Sequence, residues 1–191
     1  SKHVVKISGE VKNFNAEEYL DPKEAKKMDR FIQFAMIAAD EAVKDAKLEE
    51  VNDVDPYKIG VVVSSAAGGF RTFEENHVRI LEKGPNKCSP FTIPMMIVNM
   101  ASGRISMKYG FKGLNKVVVS ACATGTHSIG DSFRAIQCGD ADIMVAGGAE
   151  ATICDVGVGA FSSARTLSKR NDEPQKASRP WDIAVSYTHL T

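Results

Sequence analysis

Residues 117–130, VVVSACATGTHSIG, decide the fold, because a β-branched apolar run passes into a turn of small residues that holds one cysteine. A run of β-branched residues is typical of a buried strand. The next apolar residues recur at spacings of four and three, the period of a helix face; they are Ile129, Phe133 and Ile136. The pattern predicts a strand at 117–119, a tight turn and a helix, with Cys122 at the N-terminus of that helix.

The position of Cys122 indicates chemistry as well as packing. The unpaired backbone N–H groups and the positive end of the dipole at a helix N-terminus favour the thiolate, which is the nucleophilic form of cysteine. Small neighbours on both sides would let a substrate carbonyl approach without a clash. A lone cysteine in an apolar segment is more often a packing residue, and we keep that interpretation for Cys88, Cys138 and Cys154.

Composition excludes several classes of function. The chain has 191 residues with 24 basic and 24 acidic side chains, so no overall field attracts nucleic acid or an anionic membrane. No apolar run approaches the roughly 20 residues of a membrane helix, and no signal-peptide core follows Ser1. Four cysteines without a CxxC pair and four histidines without HExxH argue against a zinc site or a disulfide framework. We therefore expect one cytoplasmic domain with reduced thiols.

The remaining pattern predicts alternating helices and strands. The strand at 117–119, its helix and a second strand at 143–146 should form a βαβ unit whose strands are parallel. The strand at 58–63 runs into a glycine-rich turn, but neither GxxxxGK[ST] nor GxGxxG is present, so we exclude nucleotide binding. The other predicted elements are an edge strand at 4–11, a long helix from Pro22 to Val43, and helices at 70–81, 92–107 and 156–161.

Two histidines have no predicted catalytic role. His77 shares a helical stripe with Phe70, Phe73, Ile80 and Leu81, so we expect a hydrogen-bonded core histidine. His127 follows Cys122 by five positions, about 500° around a helix, and therefore points away from it.

The sequence does not decide the role of two clusters, one of lysines and one of methionines. The lysines of the first helix form a basic ridge, which is either a solvated face or a dock for an acidic partner. The methionines Met95, Met96 and Met100 either fill core or line a pocket for an alkyl chain.

From Lys12 to about Asp182 the chain resembles the condensing-enzyme (thiolase-like) superfamily, and within it the β-ketoacyl-acyl-carrier-protein synthase II family. The cysteine motif together with the GGAE segment is highly specific for this resemblance. The segments that carry it are KKMDRF at 26–31, EENH at 74–77, SPF at 89–91, SACATG at 120–125, GGAEA at 147–151 and ASRP at 177–180.

The resemblance implies an α/β, thiolase-like layered fold (α/β/α), present as one incomplete half with a mostly parallel mixed sheet. Residues 1–182 would be a partial N-terminal half of the synthase domain. The family continues after Asp182 with an Arg-Asp-Gly-Phe-Val segment, whereas this chain continues IAVSYTHLT, so we interpret residues 183–191 as a non-native tail.

The resemblance also implies a reaction, the decarboxylating condensation of fatty-acid biosynthesis. Cys122 would accept an acyl chain from the phosphopantetheine of acyl carrier protein, and malonyl-acyl-carrier-protein would then lose carbon dioxide and attack that chain, giving 3-oxoacyl-acyl-carrier-protein. The backbone N–H of Cys122 would donate to the oxyanion. Two catalytic histidines and a lysine lie outside this chain, so the chain alone should be inactive.

By the same resemblance the parent is a homodimer that needs no cofactor or metal. The implied acyl-pocket residues are Ala67 and Phe161, with Thr92, Ile93 and Met96 of a second subunit at the far end. The implied docking residues for acyl carrier protein are Lys23, Lys26, Lys27 and Lys87.

Three other interpretations remain open at this point. A polyketide-type ketosynthase or a thiolase relative would share the nucleophile, and a thiolase would use coenzyme A thioesters. A chain-length-factor-like partner subunit would lack it, and Cys122 argues against that class. A redox-sensing protein would place a resolving cysteine near Cys122.

Overall fold

The computed structural model describes residues 2–50 and 54–183. They form two compact units, one within residues 15–151 and the other made of residues 2–14 with 152–183. The helices are α1 (Pro22–Ala25), α2 (Arg30–Asp45), α3 (Phe70–Lys83), α4 (Thr92–Met96), α5 (Met100–Tyr109), α6 (Thr124–Gln137) and α7 (Asp155–Ser163), and the strands are β1 (Ile59–Ser64) and β2 (Ile143–Gly148).

The two strands are parallel and form the sheet of the larger unit. Their register runs from Ile59 opposite Ile143 to Ser64 opposite Gly148, so the carboxyl ends of both strands meet at one edge. Every residue of β1 is buried, whereas β2 is only half-buried. The strands predicted at 58–63 and 143–146 are thus confirmed, but β2 pairs with β1 and not with residues 117–119, so the predicted βαβ unit was wrong.

Residues 117–119 are the main correction to the predicted fold. Within the described residues they belong to no strand, and the residues just before them meet β1 through one isolated bridge, between Val61 and Asn115. The Ser102 hydroxyl of α5 accepts from the Val63 N–H at 2.8 Å and lies 3.3 Å from Lys116 O. A buried side chain therefore occupies the place where the next ladder bonds of a strand pair would form, which is why the β-branched run does not continue the sheet.

The hydrophobic core lies between α2, α5 and the sheet. Phe31 and Ile32 of α2 and Ile105 of α5 are completely buried there, together with Val61 of β1. The predicted long helix is interrupted before this core-forming part, at residues 26–29. Asp29 causes the interruption, because its backbone is extended and its buried carboxylate caps α2 by accepting from the Phe31 N–H at 3.2 Å.

Helix α3 buries its polar face, which overturns the prediction for His77. The buried residues of α3 are Thr72, whose N–H and hydroxyl donate to Asp29, and Asn76, which accepts from the Ser89 N–H. His77 is exposed and stacks on Phe73, itself 54% exposed, with ring centroids 6.2 Å apart. The polar contacts decide which face turns inward, and the apolar stripe is left on the surface.

The helix predicted at 92–107 is two helices, α4 and α5. The break follows Met96, whose carbonyl accepts from the Gly69 N–H at 3.0 Å, and Ile97 is extended. Met100 packs against the core, while Met95 and Met96 are half-buried beside the turn that follows β1.

Helix α6 follows the cysteine turn as predicted. It ends at Gln137, Cys138 caps it, and Gly139 then takes a φ of +78°, the left-handed conformation that commonly follows a helix. Its buried residues are Thr124, Ser128, Ser132 and Ala135, whereas Ile129, Phe133 and Ile136 are exposed. The apolar period therefore located the helix correctly but not its buried face.

The smaller unit contains α7, which confirms the helix predicted at 156–161. Residues 4–11 form no strand among the residues described. The side-chain amide of Asn171 instead bonds this segment, accepting from the Lys6 N–H at 2.8 Å and donating to Val4 O at 3.0 Å. Of the predicted tail, residues 184–191 lie outside the described part of the chain.

Candidate active site

Cys122 lies in a single 3₁₀ turn, Ala121–Ala123, directly before the first residue of α6. Its side chain is exposed. Among the described residues no side chain caps the start of α6. The thiol therefore lies just before the N-terminal end of a helix, where unpaired backbone N–H groups are available to a bound oxyanion.

The backbone before Cys122 is strained. Ala121 has a φ of +51°, in the left-handed region that a residue with a side chain rarely adopts. Such a conformation costs on the order of 1 kcal/mol and persists only where the surroundings impose it, typically at functional sites. Alanine carries no signal for a positive φ, so sequence reasoning missed this feature.

The buried hydroxyls of Ser64, Thr124 and Ser128 hold the residues that flank the cysteine turn. Ser64, at the carboxyl end of β1, accepts from the Val118 N–H at 3.1 Å, and the Ser128 hydroxyl lies 2.8 Å from both the Ser64 hydroxyl and Thr124 O. The Thr124 hydroxyl accepts from the Ser120 N–H at 3.0 Å. These bonds fix the residues on both sides of Cys122 to β1 and α6. Serine and threonine are common residues, so nothing in the sequence distinguished these three hydroxyls from those on the surface.

The lack of a side chain at Gly148 allows the first turn of α6 to approach the end of β2. A Cβ on Gly148 would lie 3.0 Å from Gly125 Cα, so the backbones approach too closely for a side chain there. The end of β2 therefore reaches the helix that follows Cys122. The site lies at the carboxyl ends of parallel strands and a helix N-terminus, where α/β proteins commonly bind ligands.

His127 contacts the same turn, although we predicted that it points away from Cys122. Its Nδ1 lies 2.6 Å from the Ser120 hydroxyl, and the side chain is exposed. This contact positions the residue two before the cysteine, which fits the structural role we expected for this histidine.

The implied acyl-pocket residues fall into three places. Ala67 lies half-buried in the turn after β1, and α4 carries Thr92, Ile93 and Met96. The turn and α4 adjoin within this one chain, because Met96 O accepts from the Gly69 N–H. Phe161 belongs to α7 in the smaller unit and is 47% exposed.

The four implied docking lysines differ in what surrounds their charges. Lys26 Nζ lies 3.5 Å from Glu17, and Lys27 Nζ lies 2.6 Å from Glu24, which also accepts from Arg104. The hydrogen bond from Lys27, followed by that from Arg104, holds the pKa of Glu24 below its ordinary value. The exposed side chains of Lys23 and Lys87 are part of no ion pair among those found in the described residues.

The described residues contain neither a candidate metal site nor a helix suited to cross a membrane. No group of three or more histidine, cysteine or acidic side chains is arranged to hold a metal ion. No helix in the described ranges combines the length and the apolar character that crossing a bilayer requires.

Comparisons with solved structures identify the fold. A beta-ketoacyl synthase from Burkholderia phymatum superimposes with a TM-score of 0.82 at 25% identity, over 96% of this chain and 45% of that one. A type II PKS ketosynthase, solved in complex with its acyl-carrier protein and bound to the hexaketide, superimposes with a TM-score of 0.74 at 23% identity, over 82% of this chain and 45% of that one. These neighbours confirm the thiolase-like α/β fold that the resemblance implied.

Comparisons of sequence identify the family. The chain is 50% identical to 3-oxoacyl-[acyl-carrier-protein] synthase 2 of Staphylococcus aureus over 177 residues, which is 93% of this chain and 42% of that protein. The chain thus spans less than half the length of the curated relatives it matches. The family model described as "Beta-ketoacyl synthase, N-terminal domain" matches residues 3–187. The chain therefore belongs to the beta-ketoacyl synthase family, and it matches the model of that family's N-terminal domain.

Proposed function

We propose that the parent of this chain is a 3-oxoacyl-acyl-carrier-protein synthase of fatty-acid biosynthesis and that Cys122 is its nucleophile. The observation that carries the proposal is the exposed thiol of Cys122 after a strained residue at the start of α6, in a chain of this family. By "parent synthase" we mean the protein read from the complete open reading frame.

The first half-reaction follows from the position of this thiol. The thiolate attacks the carbonyl carbon of an acyl thioester, the negative charge moves to the carbonyl oxygen, and the C–S bond to the carrier's thiol breaks as the new C–S bond to Cys122 is kept. Backbone N–H donors at the start of a helix stabilise the oxyanion, and losing one such donor costs roughly 10²–10³ in rate.

The second half-reaction needs groups outside this chain. Loss of carbon dioxide from malonyl-acyl-carrier-protein leaves a carbanion that attacks the acyl carbon, forming a C–C bond while the C–S bond to Cys122 breaks. By the family resemblance, two histidines and a lysine of the C-terminal half would serve this step, so the 191-residue chain should form no 3-oxoacyl product.

The same proposal includes an acyl carrier protein as partner and a cytoplasmic homodimer as the assembly. The exposed lysines Lys23 and Lys87 have charge available for an acidic carrier, whereas Lys26 and Lys27 already face Glu17 and Glu24. Val119 is 54% exposed, so the segment at 117–119 offers a second copy an apolar surface on which to pack.

The test is acylation of the parent synthase by acyl-acyl-carrier-protein, followed by intact-protein and peptide mass spectrometry. We expect one acyl group on Cys122 and none in C122A. Cys138 provides the matched control, because its side chain is also exposed but lies at the opposite end of α6. C138A should be acylated like the wild type, and acylation that survives C122A would refute the assignment.

A second experiment distinguishes this function from that of a thiolase by comparing two acyl donors. The parent synthase should be acylated faster by acyl-acyl-carrier-protein than by the same acyl chain on coenzyme A, and K23E should reduce only the carrier-dependent rate. Equal rates with both donors would favour the thiolase alternative.

A further inference from the structure

The turn that carries Ala67 is held by an acidic side chain from the other strand. One oxygen of the Glu150 carboxylate accepts from the backbone N–H groups of Ala66 at 2.9 Å and Ala67 at 3.0 Å. The other oxygen accepts from the Ser65 hydroxyl at 3.0 Å. A charged acceptor thus bonds three consecutive residues, and bonds of this kind are among the stronger ones in proteins.

The opposite side of the same turn is fixed by backbone contacts. Gly68 has a φ of +66°, and a Cβ there would lie 2.4 Å from Met96 O; a Cβ on Gly69 would lie 2.6 Å from Met95 O. The Ser65 hydroxyl also accepts from the Gly68 N–H at 2.8 Å. The turn therefore lies between α4 on one side and the Glu150 carboxylate on the other.

Glu150 follows the end of β2, which also contacts the nucleophile's helix. Gly148 approaches Gly125 in the first turn of α6, and the Ala149 N–H donates to Ser64 O at 2.9 Å. A displacement of the 65–68 turn relative to α6 is thus resisted through Gly148, Ala149 and Glu150. Geometry of this kind sets the distance between a reacting group and the wall of its pocket.

We propose that Glu150 is a positioning residue that fixes the Ala66–Ala67 backbone and so places the Ala67 side of the acyl pocket relative to Cys122. This inference rests on the proposed function. It predicts that the Glu150 carboxylate matters for acyl chains long enough to reach Ala67 and not for the shortest ones.

The contacts make distinct predictions for three substitutions. E150A removes all three bonds. E150D keeps the charge but withdraws the carboxylate by one methylene, so it should act in the same direction as E150A. E150Q keeps a carbonyl oxygen for the two N–H groups and can present its amide to the Ser65 hydroxyl, so it should restore the wild-type behaviour.

The first readout is hydrogen exchange, followed by mass spectrometry on peptides that cover residues 60–70 of the parent synthase. The Ala66 and Ala67 amides should exchange faster in E150A, on the order of tenfold, because their acceptor is gone. D131N is the matched control, since among the described residues the ion pair of Asp131 is with Lys116, at 2.9 Å, and not with the 65–68 turn. Unchanged exchange in E150A would overturn the proposal.

The second readout is the rate of Cys122 acylation from acetyl- and tetradecanoyl-acyl-carrier-protein. E150A should slow transfer of the tetradecanoyl chain by about tenfold to a hundredfold, the range expected when a bound group is misplaced by roughly 1 Å, and leave acetyl transfer within about twofold. E150Q and D131N should match the wild type with both donors.

The outcomes separate the two proposals. An equal fall with both donors would show general damage to the fold and would overturn the positioning role. A wild type acylated by both donors, with an E150A variant that behaves like it, would overturn the positioning role alone. A wild type that takes no acyl group from either donor would overturn the proposed function and this inference with it.

Discussion

Helices α2 and α6 pack against the same two-stranded sheet but bury opposite kinds of side chain. Helix α2 buries Phe31 and Ile32 completely, as an amphipathic helix should. Helix α6 buries Ser128 completely and Ser132 almost so, while its Phe133 is 60% exposed. The helix that builds the core and the helix that positions the cysteine are therefore held by different forces.

The buried hydroxyls of α6 are stable because each has a partner. Ser132 donates to Ser128 O at 2.8 Å, one turn back, and Ser128 reaches both Thr124 O and the Ser64 hydroxyl. Short side chains let the helix backbone approach the strand ends, which bulky apolar residues would prevent. The result is a cysteine turn fixed to β1 by hydrogen bonds, while Ile129, Phe133 and Ile136 of α6 are exposed.

The largest expected effect tests whether apolar burial stabilises α2 and not α6. F31A should lower the free energy of unfolding of the chain by about 3–5 kcal/mol, because it removes a fully buried aromatic ring from the core. F133A is the matched control and should change it by less than about 0.5 kcal/mol. Urea denaturation of both variants measures the difference, and comparable losses would contradict the burial described for α6.

A smaller effect tests the close approach of α6 to β2. G148A should destabilise the chain by about 1–3 kcal/mol, because its new Cβ would lie 3.0 Å from Gly125 Cα. The reciprocal variant G125A meets Gly148 at 3.8 Å, an ordinary contact, and should stabilise α6 by about 0.5–1 kcal/mol. Urea midpoints give the order of the two variants, and a G125A protein less stable than G148A would show that the approach is not as described.

The smallest effect concerns the phenol of Tyr109, which joins α5 to Asp40 of α2. The Tyr109 hydroxyl donates to Asp40 at 2.6 Å, and Lys108 pairs with the same carboxylate. Burial, and then the Asp40 carboxylate, raise the pKa of Tyr109 well above its ordinary value. The contribution to stability is therefore complete below the ordinary tyrosine pKa of about 10 and is lost as the pH rises above it.

Y109F should remove that pH dependence. The variant should lose about 1 kcal/mol at neutral pH, because one hydrogen bond disappears. Its free energy of unfolding should fall less steeply than that of the wild type above about pH 10. Urea denaturation across the alkaline range measures both slopes, and parallel slopes would exclude Tyr109 as their source.

Local sequence signals predicted most of the helices and both strands of the sheet. The Asp21-Pro22 start of α1 is confirmed, since the Asp21 carboxylate accepts from the Lys23 and Glu24 N–H groups. The position of Cys122 at the start of α6 is also as predicted. Each of these depends on interactions within a few residues, which a local pattern records directly.

The incorrect predictions share a cause: polar contacts between residues far apart in the chain, and not the spacing of apolar residues, decided the structure there. Asp29 interrupted a continuous helix by capping α2 and bonding Thr72, which lies 43 positions away. His77 lies on the surface because Thr72 and Asn76 on the opposite face found partners. The stretch at 117–119 lies outside the sheet because the hydroxyls of Ser102 and Ser64 hydrogen-bond the backbone of Lys116 and Val118.

The sequence by itself determined where the proposed nucleophile, Cys122, lies along the chain, because a β-branched run, small residues and a helical period are local properties. It also determined the family, through motifs that stand at fixed positions. Only the tertiary structure decided which faces of α3 and α6 are buried, that Ala121 is strained, and that Glu150 bonds the turn of Ala67. Those outcomes depend on hydrogen bonds between residues far apart in the chain, and no spacing within one segment encodes them.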